Sequence, residues 1–237
     1  METVANLEDE LKNFPAAAEY LSSIFIIQRD YDHVTNTRLA EWMAVSASAV
    51  TQALGRLKKL GLATQERYED IKLSDHGREL AVTVLRRHYL IEHLLVRVLK
   101  YPWDKSDEEA KVLQTQISHD LTEHLFTFLG QPQTCPHGNP LPGAAIEKKL
   151  LEAPRLSQVA SGLRIIILRI TEEGEGRPNL LHFCDSVGLR PGVRFEVLSR
   201  EDKSITLKNA QMFPGEHYPE QFTVPSDIAL YVRYEVV

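Results

Sequence analysis

Apolar positions recur at helical spacing through the first 150 residues and alternate in short runs through the remainder, so the chain changes character from about Leu156. In residues 1–14 an acidic leader places Leu7, Leu11 and Phe14 at helical spacing, a pattern that fits either a packed arm or a frayed end. Pro15 opens a helix over 16–29, in which Tyr20, Leu21, Ile24, Phe25 and Ile27 form a broad apolar stripe. A short helix follows with Leu39, Ala40 and Met43 on one face, then a break at Val45-Ser46, then a helix over 47–60 with Val50, Leu54 and Leu57 inward. Gly61 supplies a left-handed stop. Residues 62–73 read as a hairpin turning at Tyr68-Glu69-Asp70. Ser74 then caps a long helix over 75–100, halted by Tyr101-Pro102-Trp103. A second long helix is predicted over 106–129, with Ser106 and Glu109 in a capping-box spacing.

From 130 to 143 the chain is rich in Pro and Gly, and a short helix over 144–151 leads to Ala153-Pro154. Beyond Leu156 the runs at 164–171, 193–199, 204–208, 222–224 and 229–234 read as short strands, with a helix at 178–186. The expected fold is mainly α with a small β, barrel-like domain. Its divisions are a winged helix-turn-helix over 1–74, a helical region over 75–153 and the β domain over 154–237.

Two helices followed by a hairpin wing make double-stranded DNA the expected partner. The outer face of the second helix and the wing offers Ser46, Ser48, Thr51, Gln52, Arg56, Lys59 and Lys72, small or cationic groups suited to base edges and phosphates. Ser46 and Ser48 can equally serve as helix caps, whereas Gln52 has no core role. With 237 residues and 43% hydrophobic content the chain exceeds a lone DNA-binding module, and its net charge of −6 argues against a general polyanion coat but not against a locally positive docking face. That modest charge, and helices more apolar than one small domain needs, point to a homodimer over two half-sites. The two cysteines are far apart and suggest no disulfide framework, and the longest apolar run is too short to span a membrane. A cytoplasmic protein is the economical expectation. No phosphate loop, nucleophile elbow or zinc-protease helix points to an enzyme.

Three segments carry a resemblance. They are the winged unit ending Leu73-Ser74-Asp75-His76-Gly77-Arg78-Glu79-Leu80-Ala81, the loop Cys135-Pro136-His137-Gly138-Asn139-Pro140, and Val187-Gly188-Leu189-Arg190-Pro191-Gly192. In this order they resemble the diphtheria-toxin-repressor family of metal-dependent bacterial transcription regulators. The resemblance implies a homodimeric repressor whose helical region dimerises and whose C-terminal domain is SH3-like. It places base-reading positions on Ser46, Ser48 and Gln52. It also implies that bound iron or manganese orients the DNA-binding domains; zinc is the weaker expectation, and a regulator that no longer needs metal is the alternative, with a metalloenzyme a remote one.

The resemblance aligns an ancillary-type metal site with His88, Glu92, Asp107, Glu172 and Glu175, of which His88 and Glu92 share one helix face at i, i+4. The primary-type positions fall on Glu19, Lys111, Gln114 and Thr115, a degenerate set, since a protonated lysine has no lone pair to give. Lys111 set against Glu19 would replace the ion by a side-chain cation; the alternative is a solvated lysine at a decayed site. The cluster His119, Asp120, Glu123 and His124 reads as a solvated helix face, and Cys135-Pro136-His137 as a structural loop.

Overall fold

The computed structural model describes residues 15–66, 69–210 and 218–237; the acidic leader and the wing residues Arg67 and Tyr68 lie outside that description. The chain divides into two units, one running to Ile91 and taking up Glu109–Gly130, the other made of Glu92–Glu108 and Gln131–Val237. Among the described residues no helix is long and apolar enough to cross a membrane.

In the first unit, α1 (Pro15–Tyr31), α2 (Asn36–Trp42) and α3 (Ala47–Lys59) enclose a core in which Leu21, Ile24, Ile27, Leu39, Val50 and Leu57 are fully buried. Thr35 caps α2 by accepting from the Arg38 N–H. Ser46, not Ser48, caps α3, its hydroxyl accepting from the Ala49 N–H at 3.2 Å. Gly61, at φ +69°, ends α3 and returns Leu62 to the core, where its N–H donates to the Leu57 carbonyl. The wing is small: β1 (Ala63–Thr64) pairs with β2 (Lys72–Leu73). It is pinned to α1 by Gln28, whose amide donates to the Ile71 carbonyl at 3.1 Å, and to the segment after α1 by the Ile71 N–H donating to the Val34 carbonyl. Ser74 joins wing to helix, donating to the Gly61 carbonyl and accepting from the Gly77 N–H.

The helix so started, α4 (Asp75–His93), passes into a π-helical turn, Leu94–Val98, somewhat short of the predicted end. The predicted helix over 106–129 is two: α5 (Ser106–Leu113) and α6 (His119–Phe128). Ser118 explains the break, because its side chain caps α6 by accepting from the Leu121 N–H at 3.2 Å. A 3₁₀ turn, Trp103–Lys105, precedes Ser106, whose hydroxyl donates to the Trp103 carbonyl. A further short helix, α7 (Glu147–Glu152), follows the loop.

The second unit is built on a five-stranded antiparallel sheet of β3 (Arg164–Ile170), β4 (Arg194–Glu201), β5 (Ser204–Asn209), β6 (Gln221–Pro225) and β7 (Val232–Val236), in the order β6-β5-β4-β3-β7. Alternation sends Ile165, Ile167, Phe195, Val197, Ile205, Leu207 and Val224 inward, where they join Trp103, Leu156 and Val159. A register shift between Ile167 and Arg169 breaks the alternation on β3, so that both Arg169 and Ile170 are buried. Besides α7, the unit holds α8 (Glu172–Glu175), α9 (Leu180–Val187) and α10 (Ser226–Ala229). The helices α8 and α10 are single turns missing from the periodicity, and β7 begins later than predicted because α10 takes up Ala229.

Candidate metal centre and nucleic-acid interface

Loop 131–143 is a closed device. Thr134 bridges Pro140, the Cys135 N–H donates to the Asn139 carbonyl, and the Gly138 N–H donates to the Cys135 carbonyl. Gly138 sits at φ +91°, and a Cβ there would meet the Leu168 carbonyl oxygen at 2.2 Å. Only glycine satisfies both the left-handed backbone and that close approach. The result turns Cys135 and His137 the same way. Their ligand atoms lie within 4.8 Å of each other and of a Glu92 carboxylate oxygen, and all three residues are buried.

His137 is held from both sides. Nε2 lies 3.1 Å from the Trp103 carbonyl, which can only accept, so Nε2 carries the hydrogen. Nδ1 is thereby the atom facing the acids, 3.1 Å from Glu92 Oε1 and 3.6 Å from Glu175 Oε1. The indole N–H of Trp103 donates back to the Pro136 carbonyl at 3.1 Å. Glu175 arrives on α8, whose first turn is capped by Thr171, and accepts from the Asn139 side-chain amide. Asn139 also donates to the Ile170 carbonyl, and its own carbonyl accepts from Arg169. Arg169 is also 3.7 Å from Glu172, so Glu172 is turned toward a cation while Glu175 faces His137.

Buried acid holds protons. Burial alone would lower the His137 pKa, but Glu175 and Glu92 more than reverse this and push it up to about 9. Burial raises Glu175 well above the usual carboxylate range; His137 opposes the rise, and Glu92, Asp107 and Glu172 add to it. Burial, then Glu92 and Glu175, raise the Cys135 thiol well above its ordinary value. A divalent cation fits this set, because it can take the place of those protons and because imidazole, carboxylate and thiolate are all metal ligands.

Of the ancillary-type positions predicted from sequence, Glu92 and Asp107 bring carboxylate oxygens within 4.8 Å of one another, and Glu175 joins Glu92 around His137. His88 is buried one turn before Glu92 on α4. Cys135 and His137, assigned in sequence to loop structure, are the additions, and their Cys-x-His spacing was the available signal. At the primary-type positions Glu19 and Lys111 are exposed, Gln114 is buried and Thr115 half-buried. His119, Asp120, Glu123 and His124 are exposed, with Glu123 paired to Arg86 at 2.9 Å.

On α3 the candidate DNA contacts Ser46, Ser48, Thr51, Gln52, Arg56 and Lys59 are all exposed, as is Lys72 on the wing. Ser46 and Ser48 share a hydrogen bond of 2.9 Å, and the Thr51 hydroxyl donates back to the Ala47 carbonyl. Gln52, Arg56 and Lys59 follow one another at helical spacing along the outer face. Lys58 is turned aside, donating to the Gln65 carbonyl of the wing.

Two family models match the chain: the N-terminal DNA-binding domain of iron-dependent repressors over residues 14–71, and their metal-binding and dimerisation domain over residues 74–143. The iron-dependent repressor IdeR of Mycobacterium tuberculosis is 28% identical over 92% of this chain and 96% of its own. A manganese-dependent transcriptional repressor solved in complex with manganese superposes with a TM-score of 0.76 at 29% identity, over 93% of this chain and all of its own. ScaR with bound zinc gives a TM-score of 0.71 at 25% identity, over 93% of this chain and 99% of its own.

Proposed function

The chain belongs to the iron-dependent repressor family, and from that premise we propose that it is a homodimeric, sequence-specific repressor that reads an operator through α3 and the wing and is controlled by a divalent cation. Its relatives are transcriptional repressors, not enzymes. The observation that carries the metal reading is the buried meeting of Glu92, Cys135 and His137. These three and Glu175 would hold the ion, with His88 and Asp107 next to Glu92. When bound, the ion supplies positive charge in place of protons and ties α4 to loop 131–143 and α8.

The chain's own residues prepare that exchange. Trp103 fixes the His137 tautomer with Nδ1 inward, an outer-shell role that metal-bound histidines commonly need. Asn139 orients Glu175. Cys135 makes the donor set softer than a cage of oxygens and one imidazole, which favours ferrous iron and zinc more than composition alone suggested. Since α4 follows Ser74, directly after the wing, an ion that stiffens its Glu92 end would bias the orientation of the DNA-reading elements. It does so only by binding one orientation more tightly than the other.

A second reading is favoured by Lys111, Gln114 and Thr115: with no carboxylate or imidazole at these positions, the primary-type site is degenerate and DNA binding is independent of metal. Glu19 and Lys111 are both exposed, so an ion pair between them would contribute only ~0–1 kcal/mol. The deciding experiment is operator binding by chelated protein, then with manganese, ferrous iron and zinc added singly. Metal-dependent binding that is lost in His137→Ala supports the first reading, and tight chelator-insensitive binding selects the second.

A further inference from the structure

Glycine inside a helix costs stability, so its presence there asks for a reason. Among the described residues three glycines lie within helices, and two have their reason inside the molecule. At Gly77 on α4 a Cβ would meet the Leu62 carbonyl oxygen at 1.9 Å, and at Gly174 on α8 it would meet the Tyr231 Cβ at 2.6 Å. Gly55, in the third turn of α3, has no such neighbour. Nothing lies within 4 Å of a Cβ built there, and its φ is not positive. It is exposed and edges an open groove with Gln52, Arg56 and Lys59. The free protein would be firmer with alanine, so whatever the glycine makes room for comes from outside the chain.

The surroundings narrow what that is. At ~100° per residue, Gly55 falls opposite the buried side of α3, with Thr51 to one side and Gln52 and Lys59 to the other. Two polar groups that could fill the spot are engaged elsewhere. The Thr51 hydroxyl donates to the Ala47 carbonyl at 2.9 Å, which leaves its methyl as the group it can offer. Lys58 Nζ donates to the Gln65 carbonyl at 3.0 Å. What remains is a shallow apolar notch between the Thr51 methyl and the Gln52 amide, floored by helix backbone. Of the groups that base pairs display in the major groove, the apolar one is the C5-methyl of thymine.

We propose that Gly55 is the point of closest approach between α3 and the operator, and that the space left by its missing side chain receives the C5-methyl of one thymine in each half-site. The proposal rests on α3 as the DNA-reading element, and adds to it a residue with no side-chain donor or acceptor. It makes Gly55 a specificity determinant: the notch favours thymine over a base without the methyl, next to the position that Gln52 reads.

The test sets a methyl added to the protein against a methyl removed from the DNA. The probe is a duplex selected from random sequence by the full-length parent protein in buffer containing manganese, with each thymine in turn replaced by deoxyuridine in both half-sites. Gly55→Ala melts roughly 2–4 °C above the parent, as an unstrained glycine-to-alanine change in a helix does. It nevertheless binds the selected duplex ~10-fold or more weakly, since both half-sites lose a contact. At one thymine per half-site, deoxyuridine weakens binding by the parent and strengthens binding by Gly55→Ala, because the second methyl no longer collides. Unchanged or tighter binding of the selected duplex by Gly55→Ala overturns the proposal. So does a set of deoxyuridine duplexes that affect parent and variant alike, which means that the alanine meets no thymine methyl. A Gly55→Ala protein that melts below the parent also overturns it, placing the demand for glycine inside the fold. Gln52→Ala and Lys59→Ala keep the two readings apart. If neither weakens binding, the DNA face itself is wrong; if both do and Gly55→Ala does not, the face stands and only the closest approach at Gly55 is lost.

Discussion

His137 Nδ1 lies 3.1 Å from the Glu92 carboxylate, both side chains fully buried, and the opposite ring nitrogen is committed to the Trp103 carbonyl. The imidazole thus has one variable position. Protonated, Nδ1 is a buried cation between Glu92 and Glu175; deprotonated, it is a lone pair aimed at the same acids and at Cys135. One geometry serves a proton-loaded state and a metal-loaded state.

Charge, not packing, sets the first of these states, which gives a prediction for Glu175→Gln. Of the influences that raise the His137 pKa, Glu175 is the largest. The glutamine keeps an acceptor for Asn139 and removes the charge, so the His137 pKa falls from about 9 toward its ordinary value of 6.5. In the metal-free parent, a folded pKa above the unfolded one stabilises the fold fully below about pH 6.5, and the contribution is lost as pH rises through about 9. Histidine NMR titration of chelated protein reads the pKa directly; an unmoved His137 in the variant refutes the coupling.

Metal addition to chelated protein is expected to raise thermal stability, because an ion that binds only the folded pocket draws the equilibrium toward it. At a hundred times its Kd the gain is ~2.7 kcal/mol, which for a chain of this size is a rise of roughly 5–10 °C in Tm. Cys135→Ser and His137→Asn should abolish most of that rise while folding normally without metal. Differential scanning calorimetry with and without zinc or manganese measures it, and an equal rise in both variants would place the ion elsewhere.

Gly138→Ala tests the scaffold and not the ligands. Its φ of +91° and the 2.2 Å approach to the Leu168 carbonyl leave no room for a methyl group. The loop must open, and with it the orientation of Cys135 and His137. The expected cost exceeds ~2 kcal/mol in stability, with metal-induced stabilisation reduced in the same variant. Gly143→Ala is the control, since nothing lies within 4 Å of a Cβ there although its φ is also positive.

The sequence announced the helix-turn-helix because its signals are local: Ser46 before α3, Gly61 after it, and Val50, Leu54 and Leu57 at helical spacing. The strands were legible for the same reason, from alternation such as Ile165–Ile167 and Phe195–Val197. What failed was also local. Ser118 offered a cap inside an apolar periodicity that otherwise runs on, so two helices read as one. The metal cluster was half legible. Glu92 with His88 shows as an i, i+4 pair, but Cys135 and His137 are separated from Glu92 by more than forty residues, and only the closed loop around Gly138 brings them together. Burial was the hidden variable: the resemblance marks Glu172 and Glu175 alike, and only the partners Arg169, Asn139 and His137 turn the first toward a cation and the second toward the imidazole.

The DNA face yields the last prediction, in which two neighbours on α3 should fail differently. Gln52 is exposed, one turn before Arg56, and its amide can pair at two points with adenine. Gln52→Ala should therefore lower affinity for the operator by ~1–3 kcal/mol, while leaving binding to unrelated duplex nearly unchanged. Lys59 lies at the C-terminal end of the same helix and has only a point charge to offer. Lys59→Ala should weaken operator and unrelated DNA alike and reduce the salt slope of log K by about 1. Fluorescence anisotropy across a series of salt concentrations separates the two. If Gln52→Ala weakens all sequences equally, α3 holds the phosphate backbone without reading bases, and the source of specificity must be sought in Ser46, Ser48 or the wing.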